Sequence, residues 1–265
     1  MGTSSIYDGP KDQNPLLPDD FDSSDNIQEN DKEKKPQVEL NQKPWQAAKK
    51  SMSQYVTGSS KDYKGVIKNH IRASGGSSKM AEASSAGRSS TIRLGNLLSS
   101  ITRQGIHKTL QDLHIELTGK SAEELLSELV NVISFESDTK EEIVAKNATI
   151  EALMTLYEYI EKNNMDISSL DHMDDTLFNA VMCNYISAYI WGRVLKDLQK
   201  SFEKYSVNPV MSVEKETDFK EYIKNTVEIQ LSKIRLSTID FKDKNIRSII
   251  LDLYKDCYEV LEGLV

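Results

Sequence analysis

Between Pro44 and Pro209 the chain contains no proline; the other four, Pro10, Pro15, Pro18 and Pro36, all lie nearer the N-terminus. A proline inside a helix removes a backbone hydrogen bond and clashes with the preceding turn, at about 3 kcal/mol or more. The proline-free stretch is therefore where long helices can run without interruption. Its apolar residues follow helical spacing. Leu177, Val181, Tyr185, Ala188, Trp191, Leu195, Leu198 and Phe202 recur at steps of three and four residues. The section from Val181 to Trp191 is apolar on nearly every side, which predicts a central buried helix.

Helix starts are marked as clearly. Ser121-Ala122-Glu123-Glu124 has the form of a capping box, in which serine and glutamate satisfy each other's orphan N–H groups. It opens a helix carrying Leu125, Leu126, Leu129 and Ile133. A second box, Thr139-Lys140-Glu141-Glu142, precedes Ile143, Ile150, Leu153, Tyr157 and Ile160, expected on one buried face. Asp171 or Asp174 is placed to start the central helix, and Ser212 to cap the next, which bears Phe219, Ile223, Val227 and Leu231. A last helix is expected from about Asp243, through Ile246, Ile249, Ile250, Leu253, Cys257, Leu261 and Leu264. No segment alternates, and no Asn-Gly or Asp-Gly hairpin signal occurs. The predicted class is all-α, with residues 121–265 as a helical bundle domain.

The net charge of −8 hides three blocks. Residues 1–40 hold ten acids against four lysines, residues 41–110 hold twelve bases against Asp62 and Glu82, and residues 111–265 carry a net −12. Residues 19–43 are acidic and polar, with too few apolar groups to offset the entropy of ordering. Residues 1–43 are thus expected to form a disordered acidic tail. Eight of the twelve glycines lie between Gly58 and Gly119, beside serine clusters. Residues 44–120 are accordingly expected to form a basic Gly/Ser-rich segment of short helices and loops. Cys183 and Cys257 lack metal-ligand spacing and read as reduced core residues of a cytoplasmic protein. The longest apolar run, Leu177 to Trp191, is too short to span a bilayer.

Catalytic patterns are incomplete. Thr118-Gly119-Lys120-Ser121 resembles the end of a phosphate-binding loop, but the glycine required upstream is His114, and Glu116 would repel phosphate. His70, His107, His114 and His172 do not form a compact ligand pattern. His172 with Asp174 and Asp175 is explained by a helix start, where carboxylates favour the positive end of the dipole. No Gly-x-Ser-x-Gly motif occurs. The chain reads as a non-enzyme with no metal and no cofactor.

The basic segment carries a stronger signal. Its bases, Lys49, Lys50, Lys79, Arg88 and Arg93 among them, are interleaved with Trp45, Tyr55 and Tyr63. Cations with intervening rings suit a nucleic-acid groove. Gly75 and Gly76, and the Gly87-Arg88-Ser89-Ser90 run, are candidates to cradle phosphate. The other reading, which the adjacent acidic region favours, is docking on protein.

At the N-terminus, Met1-Gly2-Thr3-Ser4-Ser5-Ile6-Tyr7-Asp8-Gly9-Pro10 and Asn14-Pro15-Leu16-Leu17-Pro18 are too rich in turn-forming residues to pack as helix or strand. With Gly75-Gly76, Ala83 and Gly87-Arg88, they resemble the QatB family, the B component of the bacterial Qat anti-phage defence system. The resemblance implies an accessory protein without a catalytic motif, partnered by an ATPase, a QueC-like enzyme and a TatD-like nuclease. It marks Gly2, Thr3, Ser4, Tyr7, Gly9, Pro10, Pro15, Leu16, Leu17 and Pro18 as a recognition segment. Once Met1 is removed, the Gly2 amine, with a pKa of about 7.7–8.0, is partly neutral and nucleophilic near pH 7. Lipidation is not expected, because Ile6 stands where the myristoylation pattern needs Ser or Thr. An alternative function is an adaptor that presents DNA or RNA to the nuclease through residues 43–108.

Overall fold

The computed structural model describes residues 39–134, 139–205 and 209–264. Residues 1–38 of the expected disordered tail, with the recognition segment at residues 2–18, lie outside them. Ten helices follow in order: α1 (Glu39–Val56), α2 (Tyr63–Ala73), α3 (Ser77–Glu82), α4 (Ser85–Gln104), α5 (Ile106–Asp112), α6 (Ala122–Ile133), α7 (Lys140–Lys162), α8 (Asp175–Tyr205), α9 (Pro209–Ser232) and α10 (Ile246–Glu262). Short 3-10 turns occupy Ile167–His172 and Leu236–Thr238. Among the described residues there is no strand, and the fold is all-α.

Both capping boxes form. Ser121 accepts from the Glu124 amide while Glu124 accepts from that of Ser121, and Thr139 and Glu142 repeat the exchange at α7. Asp174 starts α8 by accepting from the Leu177 amide at 2.8 Å. Asp171 instead accepts from Ile106 at 2.6 Å, at the N-terminus of α5. Helix α9 begins at Pro209, so Ser212 lies inside it rather than capping it. Proline fits a first helical position, where its missing N–H costs no helical bond.

Helix α8 is the centre. Val181, Met182, Cys183, Tyr185, Ile186, Tyr189, Ile190 and Trp191 are all buried. It packs along α7 and α9 and crosses α4, while α10 covers α2, α3, α4 and α9. Helices α1 and α4 run 18 and 20 residues, longer than the short helices expected of a Gly/Ser-rich segment. Helix α1 also starts inside the stretch read as a tail, with Pro44 in its second turn. The glycines of α4 do not break it because they serve close packing. A Cβ on Gly87 would lie 2.4 Å from Tyr189, and one on Gly95 2.2 Å from Phe241. Gly95→Ala is expected to destabilise the protein by about 1–3 kcal/mol through overpacking, although alanine favours helix. Thermal denaturation checks this, and an unchanged or raised midpoint would contradict it.

The apolar face of α7 differs from expectation. Its buried side is Val144, Ala145, Ala148, Ala152, Leu153, Leu156 and Ile160, whereas Ile143 and Ile150 are 48% and 45% exposed. Alanines let α8 approach closely, and dispersion summed over close backbones favours that face over one of bulkier side chains.

Candidate functional site

The N-terminus of α4 is served from three other helices. Ser84, in the N-cap position, does not cap it; its hydroxyl donates to the Met80 carbonyl at 2.8 Å and lies 3.0 Å from the Tyr258 hydroxyl. The cap comes from α7. Because Glu142 completes the box, its neighbour Glu141 is released to face α4, where Oε1 accepts from the Ala86 amide at 2.9 Å. The same oxygen accepts from the Tyr189 hydroxyl at 2.7 Å and lies 3.7 Å from Arg193 Nη1. Arg193 also donates to the Ala83 carbonyl at 3.1 Å. Further along α4, the Tyr185 hydroxyl donates to the Gly87 carbonyl at 3.2 Å, and Thr91 and Tyr254 share a 2.9 Å hydrogen bond.

Tyrosines from α8 and α10 therefore fasten one face of α4. Burial pushes the Tyr258 phenol up to about 12 and also raises those of Tyr185, Tyr189 and Tyr254 well above the ordinary phenol value. These phenols stay neutral, which suits them to hydrogen bonding rather than to proton abstraction near neutral pH. Burial likewise pushes the Cys183 thiol up to about 11, so no thiolate is available there. The seam holds helices together.

The sequence-predicted contacts are dispersed. Gly75 and Gly76 turn the chain at φ of +97° and +92°, a region that favours glycine. The turn does meet a carboxylate, but it is the chain's own: Ser77 donates to Glu262 Oε2 at 2.9 Å, and Arg72 lies 3.8 Å from the other oxygen. Lys79 is exposed on α3 beside this turn. Gly87 sits within α4 against Tyr189 rather than in a phosphate-binding loop. Its neighbour Arg88 donates to the Glu82 carbonyl at 3.1 Å. Arg93 on α4 and Lys49 and Lys50 on α1 are exposed.

Of the rings that prompted the nucleic-acid reading, Tyr55 is buried, while Tyr63 and Trp45 are half-buried against the core. Tyr55 is buried edge-on against Phe219 at 4.8 Å, Tyr63 packs on Tyr222 at 5.5 Å, and Trp45 on His70 at 5.8 Å. His70 is itself buried, with Nε2 2.9 Å from Asp197 Oδ2. Burial alone would raise the Asp197 pKa, but the His70 hydrogen bond and charge hold it below the usual carboxylate range. Gly119 turns into the cap of α6 while Lys120 pairs with Glu128 at 2.6 Å. No group of three His, Cys, Asp or Glu side chains suited to a metal ion occurs among the described residues. No helix among them is long and apolar enough to cross a membrane.

What sequence reasoning missed is the outer face of α7. Ile143, Ile150 and Met154 stand exposed along it, Met154 at 52%. A groove beside Leu126, Val130 and Tyr157 runs between α6 and α7. On the other side, two grooves run between α7, α8 and α9. None of Lys49, Lys50, Gly75, Gly76, Lys79, Arg88 and Arg93 lines these three grooves. The signal was present as isoleucines off the alanine face, but bulk outweighed it.

Comparison with known proteins gives one family. The model for QatB, Qat anti-phage system associated protein QatB, matches residues 75–261. This span begins at the Gly75-Gly76 turn and covers α3 to α10; residues 1–18, where the resemblance is densest, lie outside it. No curated protein and no solved structure matches the chain.

Proposed function

This chain belongs to the QatB family of Qat anti-phage system associated proteins, and we propose that it is a cytoplasmic, non-catalytic adaptor whose N-terminal segment a QueC-like partner recognises and modifies at Gly2. The observation that carries the adaptor reading is how the interior polar groups are used. Glu141 and Glu262 cap helices of the same chain, as does the exposed Asp171, and the buried tyrosines fasten α4. These carboxylates and phenols are thereby committed to holding the fold together. An ATPase and a TatD-like nuclease complete the proposed assembly.

QueC-like enzymes activate the carboxylate of a deazaguanine base with ATP and couple it to ammonia. Here the Gly2 amine takes the place of ammonia. It attacks the activated carbonyl carbon, a C–N bond forms as the C–O bond to AMP breaks, and the amine proton passes to solvent. Gly2-Thr3-Ser4-Ser5 supplies a slim lead, and Pro10 and Pro15 stiffen the chain behind it by fixing φ.

Intact mass of the chain isolated with the partner and its base substrate is expected to rise by one amide-linked base, confined to the N-terminal peptide. Gly2→Val should abolish the increase and Gly2→Ala should largely preserve it. Deleting residues 2–18 should leave the helical spectrum unchanged and remove defence. An unmodified terminus together with full defence from Gly2→Val would leave the segment as a docking peptide at most.

A further inference from the structure

Over the crossing of α7 and α8, the small residues Ala148 and Gly192 leave room above Trp191 for a groove of about 590 Å3. Ile143 and Leu195 form apolar walls, so the groove offers a seat for a bulky side chain. Its rim carries Lys140, Lys196, Lys200 and Lys220 against only Glu151 and Glu216. The charges are not mixed evenly. Lys220 lies 3.7 Å from Glu151 and 3.3 Å from Glu216, so at that end one lysine faces two carboxylates. Lys140, Lys196 and Lys200 form no ion pair among the described residues. Burial holds the half-buried Lys196 below its ordinary pKa, and Arg193 and Lys140 add to this against the pull of Asp197 and Glu141. An incoming carboxylate would relieve that repulsion.

This cationic end belongs to a region, residues 111–265, that is strongly acidic. Local inversion of charge beside an apolar seat is complementary to an acidic segment with an apolar anchor. A nucleic acid fits less well, since its phosphates would meet Glu151 and Glu216 and its charge would leave the apolar floor unused. We propose that the groove between α7, α8 and α9 binds an acidic segment of a partner protein. One leucine or phenylalanine sits on Ala148, Gly192 and Trp191, and flanking carboxylates meet Lys140, Lys196 and Lys200. The proposal is independent of Gly2, and its test needs no defence assay.

The probe is a fluorescein-labelled peptide with one phenylalanine between two Asp-Asp pairs, titrated by anisotropy into the full chain. Binding should weaken with salt and fall at least tenfold with Lys196→Glu combined with Lys200→Glu. Lys242→Glu, an exposed control outside the groove, should leave it unchanged. Alanine in place of the peptide's phenylalanine should also lose binding. A lysine-for-aspartate peptide should bind the double-glutamate variant better than the original chain, which a merely unfolded variant would not do. Absence of peptide binding to the unmodified chain, or binding indifferent to the charge reversal, would overturn the proposal. So would capture of a single-stranded oligonucleotide, but not the peptide, lost on the same reversal.

Discussion

Trp191→Ala is expected to lower stability by about 3–5 kcal/mol, the usual cost of truncating a buried tryptophan. Trp191 is only 3% exposed, and its ring lies 5.3 Å from that of Phe219. Phe219 in turn meets Tyr55 at 4.8 Å and Tyr63 at 6.1 Å. One cavity would therefore loosen contacts that join α8 and α9 to α1 and α2. Against a total of about 5–15 kcal/mol for a typical domain, this is a large loss. Lys200→Ala, on the same helix but exposed, should stay within about 0.5 kcal/mol. Urea denaturation checks the pair, and equal midpoints for the two variants would contradict the packing described.

Glu141→Ala should cost about 3 kcal/mol, because it strands several partners at once. The Ala86 amide loses its acceptor, the Tyr189 hydroxyl loses a 2.7 Å bond, and Arg193 loses its nearby carboxylate. Glu142→Ala removes one half of the capping box of α7 and should cost only about 1 kcal/mol. Glu141→Gln keeps an acceptor for Ala86 and should fall between them. If the two alanine variants unfold at the same urea concentration, the cross-helix cap contributes nothing beyond the local one.

The contrast between Glu141 and Glu142 shows how far the sequence can be read. Thr139 and Glu142 are three residues apart, so their reciprocal bonds follow from spacing within one turn. Glu141 and Ala86 are 55 positions apart, and Ser77 and Glu262 are 185 apart. No local pattern records such pairs. Gly75 and Gly76 were legible as a candidate cradle for an anion, but not as the seat of Glu262. The basic segment was legible as charge, while the burial of Tyr55 was not, because a tyrosine looks the same in a string whether it faces solvent or Phe219. On α7, large residues drew the stripe through Ile143 and Ile150, although the alanines lie on the buried side.

The sequence by itself determined the all-α class, the starts of α6 and α7, and the burial of α8. These depend on capping and on the 3.6-residue period, which act over one or two turns of a single helix. Tertiary structure decided which face of α7 was left uncovered, where the lysines of α7, α8 and α9 gather, and that α4 is capped from α7. Those outcomes depend on the distance at which helices pack, set by small residues such as Ala148, Gly87 and Gly192 in contact with elements far away in the chain.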